Sequence, residues 1–218
     1  MHAAAPVPYS FANRYMPAMS YTATPLPGIN LEIVALDFNI VDEHKTCPWI
    51  ACGKKHCSWG EAAQPGCDLA HCKDIMQRRG AYAFDLLEAR IGEAIKHNRQ
   101  LIVVTHYPTT WYGWWSYKGR RVTDLLNNPR VHITYFGGHV HATDNVTNVN
   151  PALRRNGWND FCVGGGGGWA CDDAHTWASQ GFVTGVVYND GSVGEFRFEM
   201  KEDSACCFLN NNYQKEND

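Results

Sequence analysis

No stretch of the 218-residue chain approaches the roughly 20 consecutive apolar residues needed to cross a bilayer as a helix. A transmembrane segment is therefore not expected. Neither sign of charge dominates: 19 basic and 22 acidic residues leave a net charge of −3. So weak a field gathers neither nucleic acid nor an anionic lipid surface, and no nucleic-acid partner is expected. The opening Met1-His2-Ala3-Ala4-Ala5-Pro6 lacks the basic-then-apolar order of a signal peptide. There are nine cysteines but no Cys-x2-Cys pair, the usual spacing of a zinc knuckle. Five glycines at 164–168 are not followed by Gly-Lys-Ser/Thr, which argues against a nucleotide-cradling loop.

What is present is a globular composition, 44% apolar, in a chain long enough for a single domain with its own core. Cys47, Cys52, Cys57, Cys67 and Cys72 cluster in a stretch with little apolar material. Their gaps suit disulfide staples better than a metal knuckle. The sequon Asn145-Val146-Thr147 points the same way, to an oxidising compartment. A secreted or extracellular location of the full-length form is expected, even without a signal peptide.

The first 28 residues, with prolines at 6, 8, 17, 25 and 27, read as irregular surface chain. Leu31–Leu36 reads as a buried strand ending at Asp37, followed by a cysteine-rich insert at about 43–75. Phe84, Leu87, Ile91 and Ile95 recur at three- and four-residue spacing and predict a helix over 81–98. Leu101–Val104 reads as a fully buried strand, 107–119 as an aromatic loop and 120–127 as a short helix. Val131–Phe136 and Phe161–Val163 are further strands. Two alternating runs around Asn189-Asp190-Gly191 predict a β-hairpin with a primed turn. Strands alternating with helices, closed by a hairpin, indicate an α/β (α+β) fold with a mixed sheet or sandwich. One domain over 1–200 and a polar tail over 201–218 are expected.

Chemistry concentrates after two of these strands. One is followed by Thr105-His106-Tyr107-Pro108, the other by Gly137-Gly138-His139-Val140-His141. Ligands of α/β sheets gather at the carboxyl ends of strands, so both motifs are directed to one edge. If extended, His139 and His141 face the same side and can bracket a metal or a metal pair. The glycines allow a tight turn and close approach to a ligand. A lone histidine after a strand is usually a polar loop residue; two matching motifs at neighbouring strand ends make the stronger case for a metal site. Tyr107, Trp111 and Trp114 are candidates to wall an organic substrate, or else belong to a loop that folds onto its own aromatics. Arg120 and Arg121 suggest a phosphate clamp, although two arginines opening a helix are more often solvated. Asp172, Asp173 and His175 are weaker candidate ligands.

Asn13–Pro17, Ile33–Asp37, Val104–Pro108, Gly137–His141, Val163–Gly168 and Gly181–Val183 together resemble the calcineurin-like metallophosphoesterases. Among these, the purple, tartrate-resistant type of acid phosphatase is the most similar. The resemblance implies a β-sandwich flanked by helices and hydrolysis of small phosphate monoesters. It also implies a dinuclear centre of zinc, iron or manganese, with His106 and His139 on one metal and His141 on the other. The family's first half supplies Asp-x-His, Gly-Asp and Asn-His motifs. Residues 1–105 contain no Gly-Asp and no Asn-His, and the resemblance begins after them. The N-terminal half, with its ligand motifs, is therefore expected to be missing and this chain to be weakly active or inactive. The competing expectation is a non-catalytic, disulfide-stapled secreted protein that binds at most one metal ion. A cytosolic zinc module built on the cysteines is a third, weaker one.

Overall fold

A computed structural model of the chain describes residues 19–25, 27–43, 47, 69–140, 143–144, 159–164 and 181–200. The strands are β1 (Tyr21–Ala23), β2 (Leu31–Leu36), β3 (Gln100–Thr105), β4 (Ser116–Tyr117), β5 (Arg120–Arg121), β6 (Ile133–Gly137), β7 (Thr143–Asp144), β8 (Asn159–Val163), β9 (Gly181–Val187) and β10 (Val193–Met200). Among the described residues, two α-helices join them, α1 (Leu69–His97) and α2 (Val122–Leu126), with 3₁₀ turns at Asn39–Asp42 and Thr109–Gly113.

Six strands form one mixed sheet in the order β1-β2-β3-β6-β8-β7. The four central strands are parallel, and the short edge strands run antiparallel to their neighbours. Period-2 alternation divides their side chains between two faces. Val34, Leu36, Leu101, Val103, Ile133 and Tyr135 share one core with Phe84, Leu87, Ile91 and Ala94 of α1. The apolar stripe of the helix thus covers that face. On the opposite face, Phe136 and Phe161 pack against Phe196 of the β9–β10 hairpin, with ring centroids 6.5 and 4.7 Å away. At the amino end of the sheet, Glu32 is buried but receives Arg90 through two contacts of 2.7 Å and Arg99 at 2.8 Å. Two guanidinium groups offset the cost of burying that carboxylate.

The mixed α/β character agrees with the sequence, and several local expectations are corrected. β1 is a real strand inside the segment read as irregular, and Ser20 beside it is 2% exposed. Its hydroxyl accepts the Asp37 backbone N–H at 2.8 Å. The predicted helix begins twelve residues earlier, taking Leu69–Ile75 out of the expected insert. Gly80 lies in this earlier part, where a Cβ would sit 2.7 Å from Ile40 Cγ2. It marks close packing, not a break. β3 is not buried on both faces: Val104 is 38% exposed. Arg120 and Arg121 are strand residues, and the helix starts at Val122.

The turn chemistry is exchanged between the two hairpins. In the β9–β10 loop neither Asn189 nor Asp190 has positive φ; Gly191 does, at +89°. That is an ordinary turn closed by a left-handed glycine, over three residues, not a primed pair. The primed pair joins β4 to β5, where Lys118 and Gly119 have φ of +53° and +72°.

A disulfide joins Cys47 to Cys72 in the second turn of α1, across a sequence separation of 25. Cys162 is a buried thiol that donates to the Val140 carbonyl at 3.5 Å. The other cysteines, the sequon, the stray ligand candidates and the polar tail lie outside the described residues. Closing a loop of this size removes about 3 kcal/mol of unfolded-state entropy. Cys72→Ser is expected to lower urea-unfolding stability by that amount, and an unchanged midpoint would count against the pairing.

Candidate functional site

β3 and β6 pair in parallel with Thr105 opposite Gly137, so His106 and Gly138 leave the sheet side by side. The approach is close. A Cβ on Gly137 would sit 2.7 Å from both Pro108 Cα and the Tyr107 carbonyl oxygen. One on Gly138 would sit 3.2 Å from the His106 carbonyl oxygen. The paired glycines therefore admit the neighbouring loop itself, where the sequence suggested approach to a ligand. The unusual backbone falls one residue later, at His139, with φ +67°. A β-carbon is disfavoured there, so the expected extended His139-x-His141 repeat does not begin as a strand. His141 lies outside the described residues.

This geometry brings His139 Nδ1 to 3.2 Å from His106 Nε2, with ring centroids 5.1 Å apart. Two of the three predicted ligands are thus together. Tyr107 is 2% exposed and lies against both imidazoles, at 4.8 Å from His106 and 4.6 Å from His139. Trp111 adds an edge at 4.4 Å from His139 and packs on Tyr107 at 5.3 Å. These two candidates do line the pair. Trp114 has a different environment: its indole N–H donates to the Val41 carbonyl at 3.1 Å and its side chain is largely exposed. Trp115 and Tyr117 stack on each other and border Phe84 in the core, so that part of the loop folds onto its own aromatics. Arg120 pairs with Glu88 and lies over the Phe84 ring, as a surface arginine does. At Gly164, first of the five glycines, a Cβ would lie 2.0 Å from the Val140 carbonyl oxygen, so this backbone passes close beside His139.

Beneath the histidines is a buried hydroxyl cluster that sequence reasoning missed. Tyr135 and Thr105 donate to the Tyr107 carbonyl at 2.7 and 2.6 Å, and Tyr112 donates to Thr105 Oγ1 at 3.0 Å. Thr109 donates to buried Asp160 at 2.5 Å. The signal was local: a tyrosine alternating with core residues in β6 must find a partner for its hydroxyl. Burial pushes the Tyr135 and Tyr112 phenols well above their ordinary range, with the neighbouring tyrosine adding to the rise at Tyr135. Folding therefore favours the neutral phenol. Their contribution is complete below about pH 10, where unfolded tyrosine ionises, and is lost as pH rises above it. Tyr135→Phe is expected to flatten the fall of urea-unfolding stability at alkaline pH, and an unchanged slope would contradict the assignment.

The two ring nitrogens are hydrogen-bonded to each other, so a cation held between them would take the place of that hydrogen. With metal–nitrogen bonds of about 2.0–2.1 Å, a 3.2 Å nitrogen separation subtends about 100° at an ion between them, close to tetrahedral. Among the described residues, no three His, Cys, Asp or Glu side chains are grouped to hold a metal ion. Asp37 ends β2 at the same sheet edge but faces elsewhere. Its Oδ1 accepts the Asn39 N–H at 3.1 Å, and its Oδ2 lies 3.7 Å from Arg79. An Asp-x-His triplet does occur before His106, Asp42-Glu43-His44, contrary to the expected loss of all such motifs. Asp42 Oδ2 is 3.5 Å from the Tyr107 hydroxyl, while His44 lies outside the described residues. Comparison with protein families, with curated proteins and with solved structures finds no match.

Substitutions at two positions test this geometry. Gly137→Ala forces a methyl into backbone and is expected to cost about 1–3 kcal/mol of stability; a neutral change would refute the close approach. At His139 the usual order of small residues reverses. Gly is expected to be more stable than Ala by about 1 kcal/mol because only the glycine relieves the left-handed backbone. Thermal unfolding of the two variants reads the sign directly.

Proposed function

We propose that this chain carries the C-terminal portion of a calcineurin-like phosphoesterase site, of the acid phosphatase type, in which His106, His139 and His141 hold metal. The observation that carries the proposal is the 3.2 Å imidazole pair presented from two adjacent parallel strand ends. The mixed sheet, helix on one face and hairpin on the other, is compatible with part of the family's flanked β-sandwich. The sequence motifs supply the narrower family assignment.

Neutral imidazoles suit zinc, iron or manganese. A bound cation would supply a water acidified to near neutrality and charge to offset the phosphoryl oxygens. His106 Nε2 and His139 Nδ1, hydrogen-bonded to each other, would give up the shared hydrogen and turn their lone pairs to the ion. Tyr107, buried, packs behind them on one side, and half-buried Trp111 would offer an aromatic edge to the organic part of a phosphate monoester. Two cations about 3.5 Å apart need a bridging anion and further carboxylates to offset their repulsion. No such grouping occurs among the described residues. We therefore assign this chain a single metal ion and little or no phosphatase activity by itself. The Cys47–Cys72 bond favours an oxidising, secreted setting for the full-length form.

The second reading is a non-catalytic, disulfide-stapled secreted protein that binds at most one ion at the same pair. It is favoured by the absence of a three-ligand group among the described residues. Zinc titration of the purified chain is expected to show one ion bound, lost in both His106→Ala and His139→Ala. Hydrolysis of p-nitrophenyl phosphate is expected to stay at background with zinc, iron or manganese. Absence of metal binding would sink the first reading and leave the second. Steady hydrolysis abolished by His139→Ala would replace the assignment with that of an independent enzyme.

A further inference from the structure

We infer that Tyr135 is a positioning residue for His106, acting through the Tyr107 carbonyl; this deepens the proposed metal site and rests on it for its metal readout. Three hydroxyl oxygens surround that carbonyl: Thr105 at 2.6 Å, Tyr135 at 2.7 Å and Tyr112 at 3.4 Å. They also contact one another, Thr105 with Tyr135 at 2.5 Å, Tyr135 with Tyr112 at 2.9 Å and Tyr112 with Thr105 at 3.0 Å. Each hydroxyl has one hydrogen, so three hydrogens serve six short contacts. Thr105 and Tyr135 are best placed to fill the two lone pairs of the carbonyl, leaving Tyr112 to donate to Thr105.

The consequence falls on His106. Its predecessor Thr105 is held in β3 between β2 and β6. Its successor Tyr107 is held twice, at the carbonyl by the hydroxyls and at the ring by packing on both imidazoles. His106 is the single residue between two anchors, so its backbone angles are set by them. Tyr135 also lies in β6 two residues before Gly137, the strand that delivers His139. One phenol therefore ties the β6 side of the pair to the loop bearing the other histidine. A phenylalanine would fill almost the same volume in this core, so the hydroxyl can be removed with little loss of packing. The buried carbonyl would then keep only Thr105 as a close donor.

The test uses the full-length chain, with Zn²⁺ alone as the metal probe. Tyr135→Phe is expected to weaken zinc binding at least about tenfold, the scale seen when a ligand's supporting hydrogen bond is removed. It is also expected to shift the His106 imidazole NMR signals of the metal-free protein. Thr105→Val removes the second donor and is expected to act alike, whereas Thr105→Ser, which keeps the hydroxyl, restores both readouts. This second pair carries the test if Tyr135→Phe does not fold. Thr134→Val is the control. Thr134 is buried on the opposite face of β6 with no hydrogen-bond partner for its hydroxyl among the described residues. Its replacement is expected to alter stability while leaving zinc affinity unchanged. Unshifted His106 signals in Tyr135→Phe and Thr105→Val would overturn the positioning role. Shifted signals in a chain that binds no zinc would uphold the positioning and reject only the metal reading.

Discussion

Thr105 and Gly137 face each other across two parallel strands, and the chain beyond them is compressed by that register. Because neither Gly137 nor Gly138 has a β-carbon, the backbone after β6 can lie within contact distance of the His106–Pro108 backbone. The backbone approach brings the two imidazoles together, and a hydrogen bond of 3.2 Å between His139 Nδ1 and His106 Nε2 joins them. The left-handed conformation of His139 belongs to the same constraint: the chain must turn at once to avoid the loop it has just met. The cost of that conformation falls on the histidine because the two glycines are already committed to close passage.

The rest of the domain can be understood as support for that edge. The α1 face provides apolar packing under β3 and β6, and its deepest polar element is the hydroxyl cluster below His106. The opposite face is held by phenylalanines at β6 and β8. At the far, amino end of the sheet Glu32 is buried against two arginines. At the histidine edge the buried carboxylates are Asp37, 3.7 Å from Arg79, and Asp160, which accepts from Thr109.

The parts legible in the sequence were those set by periodicity. β2, the second half of α1, β6, β8 and the closing hairpin follow from two- and four-residue spacing, and strand-end placement was enough to bring His106 and His139 together. Features set by contacts distant in sequence were not legible. β1 has only three residues and is a strand because Ser20 and β2 receive it. The first turns of α1 looked like a cysteine-rich insert because Cys72 and Gly80 are not apolar stripe residues until Cys47 and Ile40 are seen beside them. The turn at Lys118-Gly119 was hidden within an aromatic loop. Tyr135 read as an ordinary core tyrosine because its role depends on a carbonyl 28 residues away.

α1 has a geometric consequence of its own. At 29 residues it is about 43 Å long, whereas a six-residue strand spans about 20 Å. Its fully buried positions begin at Met76, while Leu69 and Cys72 pack against the edge of the core. The helix is therefore a splint pinned at both ends: covalently at Cys72, and at its last turn by the Asn30 side chain, which donates to the carbonyls of His97 and Asn98.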